Sequence, residues 1–300
     1  MKNLCSFLLL LPVLLVTGCS KKDSHPSGGG GGGHLFYAAN LAFKVLDLGS
    51  GTEKSIINHA QESHLERYDV ARDGSEIIFY SESLNSDDIT FTIYNPDGTV
   101  IKRFQLTKYV SGVPKFSPDK SLIAIIRQPP SVYPDKYVFI VDRNGKALHA
   151  FKGAEDYAWT SDGRLLMSTA SGFYLTDASL NNATPVGNGS FQDTPVQLDI
   201  SRDDKQVAFV SGKHIWKMNL DGSNLQQVTS SGVREWFPAW SPDGSRLFFS
   251  LDWSGTCLEV RSMPAGGGQV YLDPPGDGPA PRVMAGGQRI CSRSQPMVRH

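Results

Sequence analysis

Short apolar runs recur along this chain at a nearly constant interval, each opened by a small polar turn. Three positions before each turn acid stands an apolar side chain: Val70, Phe116, Trp159, Ile200 or Trp240. The acids themselves, Asp73, Asp119, Asp162, Asp203 and Asp243, are separated by 46, 43, 41 and 40 residues, and a worn sixth copy puts Val283 and Gly286 in register 43 residues later. After the turns come runs such as Ile77-Ile78-Phe79-Tyr80, Leu122 to Ile126, Val207 to Val210 and Leu247-Phe248-Phe249. Each unit therefore opens as strand, tight turn, strand.

A second turn signal follows most of these runs: Asn95-Pro96-Asp97-Gly98, Asp142-Arg143-Asn144-Gly145, Asn219-Leu220-Asp221-Gly222 and the poorer Met263-Pro264-Ala265-Gly266. A β-run precedes each of these turns, and a fourth short one, such as Leu225 to Thr229, follows. Four strands in about 43 residues is the arithmetic of a propeller blade, and no credible amphipathic helix interrupts it. Such a unit cannot bury its own faces, so function belongs to the assembled array. The expected fold is all-β, a six-bladed propeller of four-stranded antiparallel blades, with seven blades as the alternative because one second-strand-like run is surplus. Leu35 to Asn40 and Phe43 to Asp47 look like later strands of a blade whose first strand is missing, while Pro281 to Ser292 supplies first strands and stops. Closure is expected to pair chain start with chain end, removing exposed edges.

Ser241-Pro242-Asp243-Gly244 is the full form of a turn that resembles the TolB family of WD-like propellers, where it joins the first two strands of each blade. Ser117-Pro118-Asp119-Lys120, Ser161-Asp162-Gly163 and Arg72-Asp73-Gly74 match in part, whereas Ser201-Arg202-Asp203-Asp204 and Met284-Ala285-Gly286-Gly287 depart further. The resemblance covers about Leu35 to Arg293 and specifies fold better than activity. It implies a role in coupling to a peptidoglycan-associated lipoprotein or another envelope protein. TolB proteins carry an α/β domain ahead of the propeller, for which the segment before Leu35 leaves no room.

The start of the chain changes the picture. Lys2 is followed by an apolar run from Phe7 to Val16 and then Val16-Thr17-Gly18-Cys19. That run is too short to span a bilayer and has the order of a secretory signal. It resembles a bacterial lipoprotein signal, which implies cleavage after Gly18 and acylation, palmitate included, at Cys19. At about 0.8 kcal/mol per buried methylene, several acyl chains make a durable anchor. Ser20 favours the outer membrane, facing the periplasm, with the periplasmic leaflet of the inner membrane as the alternative. Residues 1–18 read as signal peptide, 19–33 as a lipidated tether with six consecutive glycines, 34–293 as the propeller and 294–300 as a disordered tail.

Twenty-nine Lys and Arg against 30 Asp and Glu give a net charge of −1, so no basic field collects nucleic acid. Of four cysteines, Cys257 and Cys291 remain in a compartment that permits disulfides, and they read either as a bonded pair or as two small buried hydrophobes. The turn aspartates read as backbone acceptors rather than Ca²⁺ ligands. No Gly-x-Ser-x-Gly elbow is present, which leaves no serine hydrolase to place. Propellers of this type also resemble oligogalacturonate lyases, which hold a metal on histidines. Here His59 and His64 lie in a connection and lack the spacing of a zinc helix, and neither His149 nor His214 precedes an innermost strand. No metal or cofactor is therefore expected.

Segments entering the innermost strands should ring one channel mouth. There Glu66, Glu155, Asp156, Arg234, Glu235 and Trp236 form the candidate partner surface, Trp and Arg being enriched where binding energy concentrates. The expected function is a monomeric, non-enzymatic, protein-binding lipoprotein of the cell envelope; a glycan-binding module or metal-dependent polysaccharide lyase is the alternative.

Overall fold

A computed structural model describes residues 33–39, 42–58, 67–82, 88–107, 109–128, 135–187, 191, 193–252, 257–272, 278–292 and 295–299. Among them the regular elements are all strands, and six four-stranded antiparallel sheets form the blades. Seven blades are thereby set aside. The innermost strands, Tyr68–Val70, Val110–Phe116, Ala154–Trp159, Val196–Ile200, Glu235–Trp240 and Met297–Arg299, lie each against the next around a central channel. We number the blades one to six in that order.

The apolar runs are continuous rather than alternating because both faces of each blade are covered. Ile123 and Ile125 face blade one, while Ala124 and Ile126, one residue along, face blade three. Leu247 and Phe249 face blade four, and Phe248 faces blade six. The described residues contain an apolar cluster between every neighbouring pair of blades.

Turn chemistry follows the expected pattern. In the Ser117 turn the Asp119 carboxylate accepts the Ser121 N–H at 3.1 Å and the Ser117 hydroxyl at 2.6 Å; Asp243 does the same with Ser245 and Ser241. The residue after the acid is left-handed in each of the five copies that have one, as Gly in three and as Lys120 (φ 62°) and Asp204 (φ 55°) in the other two. The glycines of the second turn have an additional reason. Gly222 (φ 85°) sits so close to Gly187 of blade three that a Cβ would come within 2.4 Å of its Cα.

Blade six closes the ring: Met297–Arg299 pairs with His34–Ala39, which continues into Ala42–Asp47 and Glu53–Asn58. Met297 and Val298 are buried. The expected tail at 294–300 is therefore corrected within the described residues, because Met297–Arg299 supply the strand that the first blade segment lacks. The sixth repeat copy does not open a blade either. Met284–Ala285 and Gln288–Arg289 form a small hairpin whose flanks Val283 and Ile290 pack between blades five and six. Cys291–Ser292 then becomes the fourth strand of blade five, beside Leu258–Pro264. That place was open because the poor turn at Gly266 sends Val270–Leu272 into a parallel pairing with Thr229–Ser231 instead. Cys291 thus enters the same blade as Cys257, to which it is bonded with a Cα–Cα distance of 5.1 Å.

Candidate functional site

All six innermost strands run the same way, so their first residues ring one mouth of the channel and their last residues, with the adjoining turns, ring the other. Only one edge of each innermost strand is paired within its blade; the channel edge needs other partners. Side chains supply them across blades. Asp69 accepts the Phe116 N–H at 2.7 Å, Asp156 the Leu198 N–H at 2.8 Å and Asp199 the Trp240 N–H at 2.8 Å. At blade five Pro238 has no N–H to offer, and the longer Gln197 reaches the Phe237 N–H at 2.7 Å instead. Burial raises the pKa of Asp69 to about 6, against the opposing pull of Arg299, and raises that of Asp199 too.

The entry mouth contains most of the residues expected there. Arg234 is exposed, its guanidinium 4.5 Å from the Trp236 ring centre, a cation–π distance. Trp236 is half-buried, 5.9 Å from Phe237, and its indole N–H is enclosed without a hydrogen-bond partner. Glu155 is partly exposed and paired with Lys136. Asp156 and Glu235 are spent on the fold rather than turned to solvent. Asp156 holds Leu198 and lies 3.4 Å from Lys115 Nζ. Glu235 is fully buried, accepting the Ser231 hydroxyl at 2.6 Å and lying 2.7 Å from His214 Nδ1. Glu66, Gly18, Cys19, His59 and His64 lie outside the described residues. His149 is on the outermost strand of blade two, away from either mouth.

Sequence reasoning missed the other mouth. There Asp69, Arg72, Lys115, Asp199, Arg202 and Arg299 line a recess of about 70 Å³. Arg72 donates to the Trp159 carbonyl at 2.8 Å and lies 3.6 Å from Asp204; Arg299 donates to the Val70 carbonyl at 2.9 Å. Lys115 donates to the Leu198 carbonyl at 3.1 Å. A signal was present in the repeat. The position just before each last apolar residue reads Asp69, Lys115, Ala158, Asp199 and Ala239, so charge recurs where every neighbour is apolar. Arg72 and Arg202 stand two places past that last residue, within the turns. Among the described residues no group of three or more His, Cys, Asp or Glu side chains is placed to hold a metal ion.

No family model matches the chain. A stretch of 55 residues is 34% identical to an uncharacterised protein of Agrobacterium fabrum, covering 17% of this chain and 19% of that one, so the chain spans about a fifth of that relative. Among solved structures, a TolB-type protein from Agrobacterium tumefaciens superposes with a TM-score of 0.62 at 15% identity, over 89% of this chain and 92% of that one. TolB from Acinetobacter baumannii gives 0.58 at 16% identity, over 89% of this chain and 65% of that one. At such identities the likeness speaks to the path of the backbone, and in fold the chain is a TolB-like six-bladed β-propeller.

Proposed function

We propose that this chain is an outer-membrane lipoprotein, acylated at Cys19 and facing the periplasm, whose propeller is a non-enzymatic scaffold for an envelope protein. The observation that carries the binding role is the Arg234–Trp236 pair at the entry mouth. It combines an exposed cation with a half-buried aromatic ring, the residue types around which interface energy concentrates. The Val16 to Cys19 sequence supports the anchor, and the TolB-like fold supports a protein as the partner.

A crosslinking pull-down from solubilised envelope tests the scaffold: capture should be lost in Trp236→Ala and weakened in Arg234→Ala. Equal capture by both variants would reject the entry mouth as the docking face. Cys19→Ser should move the protein into the soluble periplasmic fraction, and continued membrane retention would reject the anchor. Stoichiometric Mn²⁺ or Ca²⁺ on the purified protein, lost with a mouth substitution, would favour the lyase reading instead.

A further inference from the structure

The chain joins the propeller on the face opposite the entry mouth, where the Asp turns lie, here the turn face. His34 opens the second strand of blade six and pairs with Arg299, the last described residue of the innermost strand. Gly33 is already held there. Its carbonyl accepts the Leu48 N–H at 2.9 Å, and a Cβ on it would come within 2.9 Å of the Arg299 carbonyl oxygen and 3.1 Å of Pro242 Cγ. Pro242 belongs to the first turn of blade five, on the same face. The point of entry is therefore beside the channel mouth and not at the rim of the ring.

Gly33 stands 14 residues after Cys19. No chain of that length spans more than about 46–50 Å. To bring the entry mouth down to a bilayer, it must first cross the turn face to the outer edge of blade six, past two further strands spaced about 4.8 Å apart. It must then run the height of the blade, about 20 Å of strand with a turn at either end. With the side chains that sheathe it, this route is about 40 Å. Nearly the whole reach would be drawn taut, in a segment with six consecutive glycines, the residue that loses most conformational freedom on being fixed. With the turn face toward the bilayer the same segment makes no detour. Three turn acids on that face are paired with neighbouring cations, Asp73 with Lys120, Asp162 with Arg164 and Asp203 with Lys205, which moderates repulsion by anionic head groups.

We propose that the turn face is the membrane-facing side of this propeller. The entry mouth, with Arg234 and Trp236, then opens away from the anchoring bilayer and meets its partner in the aqueous periplasm, not within that membrane. The orientation rests on the anchor at Cys19 proposed above.

The lipidated full-length protein, reconstituted into vesicles of phosphatidylethanolamine and phosphatidylglycerol, tests it by energy transfer. Ala170, between the second and third strands of blade three, and Ala178, between the third and fourth, are exposed on opposite faces of one blade. A donor dye is attached through Ala170→Cys or Ala178→Cys, and the acceptor dye is carried on lipid head groups. Transfer should be at least about twice as efficient from position 178 as from position 170, the two faces being about 20 Å apart. A tilt of the ring moves both positions alike. Inserting a second copy of residues 20–32 ahead of Gly33 should bring the ratio close to one, since the doubled length rounds the rim with slack. Co-sedimentation with the vesicles separates the two readings. Failure of the parent to sediment, matched by Cys19→Ser, would reject the anchor and this orientation with it. Sedimentation with equal transfer from both positions, or more from position 170, would overturn the orientation alone. So would a difference that survives the doubled length, which would assign the orientation to adhesion of the face and not to its tether.

Discussion

Trp240 donates to Asp199 twice: its backbone N–H to the Asp199 carboxylate at 2.8 Å, and its indole N–H to the Asp199 carbonyl at 3.2 Å. The two residues belong to innermost strands of different blades, so the pair ties blade four to blade five at the channel wall. Trp159 repeats half of the device, its indole donating to the Lys115 carbonyl at 2.9 Å. Asp199→Ala strands a backbone donor and should cost about 2 kcal/mol of stability. Trp240→Phe loses only the indole bond and should lose about 1 kcal/mol plus some packing. Because the two are in contact, urea unfolding of the double variant should show less than the summed loss.

Asp69 makes stability depend on pH in an unusual direction for a carboxylate. Its pKa is raised to about 6, so the folded protein holds the proton more tightly than the unfolded chain. The stability tied to this proton is full below about pH 4 and is lost as pH rises to about 6. Asp69→Asn keeps an oxygen for the Phe116 N–H and removes the buried charge. It should stabilise the protein at pH 7 by up to about 3 kcal/mol and flatten the slope between pH 4 and 6, measured by denaturant unfolding at several pH values. A variant less stable than the parent at pH 7 would show that Arg299, 3.7 Å away, outweighs desolvation.

Two glycines with nearly the same φ should respond differently to alanine. Gly163, at φ 83°, faces open space, and Gly163→Ala should cost about 1 kcal/mol, the penalty of the left-handed backbone alone. Gly222, at φ 85°, abuts Gly187, and Gly222→Ala should cost about 1–3 kcal/mol more because two backbones must separate. Thermal unfolding of the two variants checks the order.

The Cys257–Cys291 bond spans 34 residues of sequence and fastens the substitute fourth strand of blade five. Alongside it Glu259, buried and paired with Arg261 and Arg282 at 3.0 Å each and with Arg289 at 2.6 Å, clamps the hairpin's flanks; these contacts hold its pKa below the usual range despite burial. Replacing both cysteines by serine should lower stability by about 2–4 kcal/mol. The effect should fall on exchange protection of residues 278–292 before that of blades one to three, as read by hydrogen exchange.

The blade count and the turn chemistry were legible in the chain because both are local. An acid that accepts the N–H two residues on, and a left-handed residue after it, leave the same signature in every copy. The unbroken apolar runs are local as well, for a strand covered on both faces has no position at which a polar side chain is favoured. Cys257 and Cys291 could be named as candidates, but their pairing within one blade was not visible, since it depends on a strand that leaves its expected place after Gly266.

What the sequence determined by itself is the repeating unit, and hence a ring of blades, because periodic burial is written residue by residue. Tertiary structure alone decided which strand closes that ring, that Glu235 turns inward to Ser231 and His214, and that Arg72, Arg202 and Arg299 meet at one mouth. Apart from the Ser231 contact, those relationships join residues some 20 to more than 200 positions apart through the curvature of the ring, and no local pattern records where a circle brings its distant segments together.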